Sequence, residues 1–172
     1  MATDEELLGQ IGQGDEPALR ELLRRYERPL SHFIYRSTGG RDVEDLYQET
    51  WLRVVRHAGR FDPTRRFSTW LFQIALNLCR DWRRHPPLTP VEVPDDASAP
   101  AQLAPSEARI DSTRQLAQLP AEQREVLILR YYHDLPEEDV ARIVGCPKGT
   151  VKSRMHNALA RLGALVRTEE PR

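Results

Sequence analysis

Between Leu135 and Leu162 the chain reads LPEEDVARIVGCPKGTVKSRMHNALARL, and few folds accept that pattern. Pro136 suits a first helical position, because its missing N–H would have no intrahelical partner there. Glu137, Glu138 and Asp139 suit the positive N-terminal end of a helix. A helix therefore runs from about Pro136 to Val144, Gly145 turns the chain, and Cys146-Pro147 continues the turn. The helix that follows carries Val151, Met155, Ala158, Leu159 and Leu162 on one apolar stripe. Small Ala141 lets two helices approach, glycine at 145 permits the bend, and Val151 packs into their angle. This is the helix-turn-helix pattern.

Charge sharpens the pattern. From Lys148 to Arg167 there are five Lys or Arg and no acid, in a chain of net charge −1. At 100° per residue, Ser153, His156 and Asn157 point away from the stripe, with Lys152 and Arg154 beside them and Lys148 and Thr150 one turn earlier. Cations for phosphates and short polar groups for base edges are what a major-groove helix needs. A helical hairpin with a solvated basic face would show the same charges without reading DNA.

The remaining composition narrows the function by exclusion. At 172 residues with 30% charged and 40% hydrophobic residues, the chain reads as a soluble globular protein of one domain or two small ones. No run approaches the roughly 20 apolar residues of a membrane span, and MATDEELLGQ is not a signal peptide. Cys79 and Cys146 stand apart with no C-x-x-C, as in a reducing cytoplasm. His32, His57, His85, His133 and His156 lack metal-ligand spacing, and no P-loop, G-x-G-x-x-G or Ser/His/Asp signature occurs. The expectation is therefore no enzyme, no cofactor, no metal and no small-molecule substrate.

Without alternating β-branched runs, the chain reads as all-α. A first helix over about Asp4–Ile11 ends at Gly12-Gln13-Gly14. Asp15 caps a long helix over roughly Glu16–Ser37, which Gly39-Gly40 closes. A third helix over about Asp42–Ala58 buries Val43, Leu46, Tyr47, Thr50, Trp51, Val54 and Ala58. Its other face carries Asp45, Gln48, Glu49 and Leu52, an apolar anchor in a polar rim that suits a protein partner as well as water. A loop, Arg60 to Trp70, interleaves Phe61, Arg65, Arg66, Phe67 and Ser68, and Ser68 is placed to cap a helix over about Ser68–Arg84. That helix shows Gln73, Asn77, Arg80, Arg83 and Arg84 on one side. From Arg53 to Arg84 there are eight arginines against two acids. Aromatics beside arginines are the chemistry of single-strand binding, though a basic helix facing water would look alike.

The segment 86–105 holds six of the chain's 13 prolines, three acids and no cation, and cannot build a core; it reads as a flexible Pro-rich linker. Helices near Glu107–Gln118 and Ala121–His133 then precede the helix-turn-helix. The architecture expected is two small helical domains, 1–85 and 106–172, joined by that linker.

Three stretches, DVEDLYQETWLRVVRHAGRFDP, FSTWLFQIALNLCRDWRR and LPAEQREVLILRYYHDLPEEDVARIVGCPKGTVKSRMHNALARL, resemble in order and spacing the extracytoplasmic-function (ECF) sigma factors, the minimal two-domain branch of the bacterial sigma superfamily. The resemblance implies that Asp45, Gln48, Glu49 and Leu52 meet the β′ coiled coil of core RNA polymerase, with the β subunit a further partner. It implies that Phe61, Arg65, Arg66, Phe67, Ser68, Trp70, Gln73, Asn77, Arg80 and Arg84 hold the melted −10 strand, one base flipped into a pocket of the Phe61–Trp70 loop. Lys148, Thr150, Lys152, Ser153, Arg154, His156 and Asn157 would read the −35 element as duplex. Leu76 stands where the family usually has a basic residue. The resemblance further implies a cytoplasmic protein under an anti-sigma factor, through which it could be held at the membrane. A stand-alone helix-turn-helix regulator is the alternative, and it leaves the basic aromatic loop without a role.

Overall fold

A computed structural model describes residues 1–86 and 113–169, with side chains through residue 165. All of the Pro-rich linker expected over 86–105 except Pro86, and the start of the helix expected near Glu107, lie outside the described residues. The described residues are helices and turns, with no strand among them.

The first block is four helices: α1 (Asp4–Ile11), α2 (Glu16–Thr38), α3 (Val43–His57) and α4 (Phe67–Arg84). Thr3 and Glu6 form a reciprocal capping box on α1. Asp15 caps α2 as its side chain accepts from the Ala18 N–H at 2.9 Å, and Gly39 ends it in the left-handed region at φ 68°. Asp42 precedes α3 without capping it. Its Oδ2 instead accepts from the Trp82 indole at 2.6 Å, which ties the start of α3 to the end of α4.

Ser68 is not the cap of α4. The helix starts at Phe67, and the Phe67 N–H donates to Glu5 Oε1 at 2.8 Å, so a carboxylate from α1 satisfies the helix end. Asp4 meanwhile accepts from Arg25 at 2.6 Å and from the Tyr26 hydroxyl at 2.5 Å, which clamps α1 across α2. The short first helix thus fixes where the basic loop ends and α4 begins.

The second block holds helical residues 113–117, α5 (Ala121–Leu127), a π-helical turn (Ile128–Tyr132), α6 (Glu137–Val144) and α7 (Lys148–Glu169). The helix expected over Ala121–His133 thus loosens into a π turn at its end, which leaves Tyr131 and Tyr132 exposed. Gly145 sits at φ 77°, and its N–H and that of Cys146 both donate to the Ala141 carbonyl, at 2.9 and 3.1 Å. A residue with a Cβ would be strained there. Val151 is fully buried in the resulting angle.

The buried residues of both blocks form one connected cluster. Helix α4 lies at its centre, against α2 and α3 on one side and α6 on the other. Each block alone is small, and packing them together removes apolar surface that neither could bury by itself.

Candidate nucleic-acid interface

Three surfaces carry the residues singled out above. On α3 the stripe is buried as expected: Leu46, Thr50, Trp51 and Val54 are inside and Val43 and Tyr47 partly so. On the outer face Leu52 is 57% exposed and Val55, one turn on, is 43% exposed. The two make one apolar patch, of which the sequence pattern had marked only Leu52. Asp45 and Gln48 are exposed around it, Gln48 donating to Glu44 at 3.0 Å, and Glu49 pairs with Arg53 at 2.9 Å.

The second surface is a cleft of about 420 Å³ between α3, the Arg60–Trp70 loop and α4, lined by Arg53, His57, Arg60, Phe61, Arg65, Trp70, Ile74 and Asn77 among others. The Phe61 and Trp70 rings lie 4.9 Å apart by centroid and form its aromatic wall. Asn77 is exposed on its floor, while Arg53 and His57 arrive from α3. These two escaped the sequence reading, which sought the site on one loop and the helix after it. Asp62 holds the loop as its carboxylate accepts from the Thr64 N–H and hydroxyl at 2.9 and 2.7 Å, and those bonds lower its pKa. The cleft offers an aromatic wall, amide and imidazole groups and three arginines, a chemistry that fits a nucleotide base with its phosphate.

Other residues expected on this surface lie elsewhere. Phe67 is wholly buried, with Tyr26 edge-on at 5.2 Å and Trp51 and Trp70 at 6.4 and 6.3 Å. It is a core ring with no face open to a base. Arg66 reaches Asp139 on α6 at 3.2 Å, and Arg80 reaches Glu125 on α5 at 2.6 Å. Ser68 and Gln73 are partly buried, whereas Arg84 is exposed and paired with Asp81. Leu76 is fully buried. At 100° per residue it shares a face of α4 with Phe72 and Arg83, the face turned to the second block.

The third surface is α7. Lys148, Lys152, Ser153, His156 and Asn157 are exposed, Thr150 is half-buried, and Val151 and Ala158 are inside. Leu159, counted in the stripe, is 49% exposed because it falls at the stripe's edge. The basic residues are balanced by acids of their own block: Lys148 with Glu138 at 3.5 Å, Lys152 with Glu137 at 3.8 Å, Arg154 with Glu122 at 2.9 Å. The Ser153 hydroxyl donates to the Thr150 carbonyl at 3.1 Å. His156 and Asn157 therefore form the open polar centre of this face.

Among the described residues no group of His, Cys, Asp or Glu is placed to hold a metal, and no helix is long and apolar enough to cross a membrane. Burial pushes the Cys79 thiol up to about 12, which suits a core residue and not a nucleophile.

Residues 22–85 match the family model of sigma-70 region 2, and residues 113–162 match that of sigma-70 region 4. The ECF RNA polymerase sigma-E factors of Salmonella typhimurium and Escherichia coli are each 30% identical to this chain, over 91% of it and 90% of their own length. The Haemophilus influenzae protein of the same name is 28% identical over 91% of both. Among solved structures, CnrH in complex with the cytosolic domain of CnrY aligns at a TM-score of 0.77, 28% identical, over 97% of this chain and 99% of that one. The sigma factor RpoE of Bartonella quintana, in complex with the anti-sigma factor NepR, aligns at 0.69, 28% identical, over 88% of this chain and 98% of that one.

Proposed function

Because the chain belongs to the ECF family of RNA polymerase sigma factors, we propose that it carries core polymerase to its promoters by dividing the work among these three surfaces. The α3 patch docks on the β′ coiled coil, with the β subunit a further contact. The cleft between Phe61 and Asn77 holds the displaced −10 strand with one base flipped in. The outer face of α7 reads the −35 element as duplex. Residues 1–85 and 106–172 are the two working domains. Polymerase performs the chemistry, so this chain supplies position and strand capture and is itself no enzyme. The stretch 86–105, acidic and Pro-rich, is suited to bridge the domains across the polymerase. The protein acts in the cytoplasm, and an anti-sigma factor spanning both blocks controls it; the solved relative bound to NepR supports that control.

One observation carries the docking role. Leu52 and Val55 stand exposed side by side on a helix whose other face is fully used in the core. A stand-alone regulator would need α7 and has no use for that patch. The experiment is transcription from a promoter panel by core polymerase with this protein or its Leu52→Asp variant. Loss of a central interface residue costs about 2 kcal/mol, roughly a thirtyfold loss of core binding. Helicity should stay unchanged, because Leu52 packs on nothing inside. Equal co-purification of both forms with core polymerase would remove this assignment.

A further inference from the structure

Helix α3 ends at His57, and this exposed last side chain lines the cleft described above. Its Nδ1 lies 2.9 Å from the Arg53 carbonyl one turn back. A carbonyl oxygen can only accept, so in the neutral ring Nδ1 carries the proton. Nε2 is then left with a lone pair and no hydrogen. The end of α3 thus fixes the tautomer, and the neutral ring brings an acceptor to the cleft.

The rest of the cleft differs in kind. Asn77 on α4 supplies an amide, donor at one atom and acceptor at the other. Phe61 and Trp70 offer ring faces, which stack on any base. Arg60 and Arg65 are exposed cations of the loop and suit a phosphate. Asp62, the acid of the cleft, accepts from Thr64. An acceptor from His57 with a donor from Asn77 matches an edge on which an amino group adjoins a ring nitrogen. Cytosine presents N4 and N3 in that way, and adenine N6 and N1. Thymine and guanine carry a carbonyl where the amino group would stand, and two acceptors would then face each other.

We propose that His57 is a specificity-determining residue of this cleft, its Nε2 selecting an amino base, cytosine or adenine, over a keto base. The inference rests on the reading of the cleft as the pocket of a flipped base. It makes the choice of base depend on pH. Protonation puts a hydrogen on Nε2, the acceptor becomes a donor, and the preference for an amino group is lost. The charges that face the ring are Arg53 of its own helix, itself paired with Glu49, and Arg60, Asp62 and Arg65 of the loop. Helix α4 brings only the neutral Trp70, Ile74 and Asn77. The bonds from Thr64 lower the Asp62 pKa, so that carboxylate stays charged in mild acid. Of these side chains only an imidazole ordinarily titrates between about pH 5 and 8.

The test is fluorescence anisotropy of the full chain with labelled single strands of about 12 nucleotides, one of deoxycytidine and one of deoxyuridine. The two bases match in shape and differ in the amino and keto edge. At about pH 8 the parent should bind deoxycytidine about tenfold more tightly, and the ratio should fall towards one at about pH 5.5. Taking the ratio cancels the gain in affinity for any strand that acid brings. His57→Ala should give a ratio near one at both values. His57→Lys, which presents donors alone, should favour deoxyuridine at the higher pH. Circular dichroism reads helicity throughout, and if acid lowers it, His57→Lys at the higher pH decides. A parent ratio near one at the higher pH, or a ratio that both variants leave unchanged, overturns the assignment to His57. If Phe61→Ala still weakens both strands, the base pocket itself stands. Phe61→Ala without effect on either strand overturns the pocket, and the role of His57 with it.

Discussion

Helices α4 and α7 carry similar chemistry, arginine or lysine beside short polar residues, but the fold sets them differently. Eight of the 18 residues of α4 are buried, and its cations at 80 and 83, like Arg66 just before it, end on acids of the opposite block. Helix α7 rests on Val151 and Ala158 and leaves its outer face to solvent. Its lysines face acids at 3.5 and 3.8 Å across exposed surface, pairs worth about 1 kcal/mol or less. A phosphate displaces such partners readily. Displacing Glu125 means parting a packed interface. Two basic helices thus differ in accessibility: the lysines of α7 sit at the surface, and the guanidiniums at 80 and 83 lie in the interface between the blocks.

The sharpest way to break this contrast is to truncate each helix's large apolar residue. Phe67→Ala should destabilise the protein by about 3–5 kcal/mol, because the ring is enclosed by Tyr26, Trp51 and Trp70. Leu159→Ala, on an exposed site, should change stability by about 0.5 kcal/mol or less. Urea denaturation measures both. Equal losses would mean that α7 is as enclosed as α4.

Acid should act next most strongly, and on the enclosed side. Burial first, then the charges of Arg36 and His32, lower the His133 pKa from 6.5 to about 4. Its Nε2 is buried without a hydrogen-bond partner. A folded pKa below the unfolded one means that the neutral ring's contribution is complete above about pH 6.5 and is lost as pH falls towards 4. Linkage limits that loss to about 3 kcal/mol. Carboxylates titrate in the same range, so the measurement is the difference between the parent and His133→Leu. The variant should flatten the stability profile between pH 6.5 and 4, and parallel profiles would contradict the burial of this histidine at the block interface.

On the open helix, effects should be smaller and should depend on sequence. His156→Ala and Asn157→Ala should shift base preference at the −35 element by about 1–3 kcal/mol per position, measured by holoenzyme binding to promoters varied there. A loss equal on all sequences would show that this face positions and does not read. Smallest of all is the difference between two cations. Lys152→Ala should lower the salt dependence of promoter binding by about one counterion unit. Arg154→Ala should lower it less, since Arg154 is half-buried and held by Glu122 at 2.9 Å. Equal slopes would mean that Glu122 releases Arg154 on binding.

Much of this was legible in the chain because it depends on near neighbours. The helix over Asp4–Ile11, the glycine turn at 145, the buried stripe of α3 and the outward Ser153, His156 and Asn157 follow from spacing alone. The same reasoning misjudged Ser68 as a cap and Phe67 as a stacking ring. Nothing near them in sequence reveals that Glu5, 62 residues away, meets the Phe67 N–H. Arg53 and His57 belong to the cleft only when α3 is laid beside the Arg60–Trp70 loop and α4.

What the sequence determined by itself was periodicity: which residues share a helix face, where helices can start and stop, and that the chain holds a helix-turn-helix and a basic aromatic loop. Tertiary structure decided which of those charged faces is free. Arg80 and Arg84 look equivalent in the string of letters, yet Arg80 ends on a buried carboxylate 45 residues away and Arg84 on Asp81 at the surface. Local spacing sets where a guanidinium points, but whether it meets water, phosphate or a buried acid depends on which distant helix is packed against it.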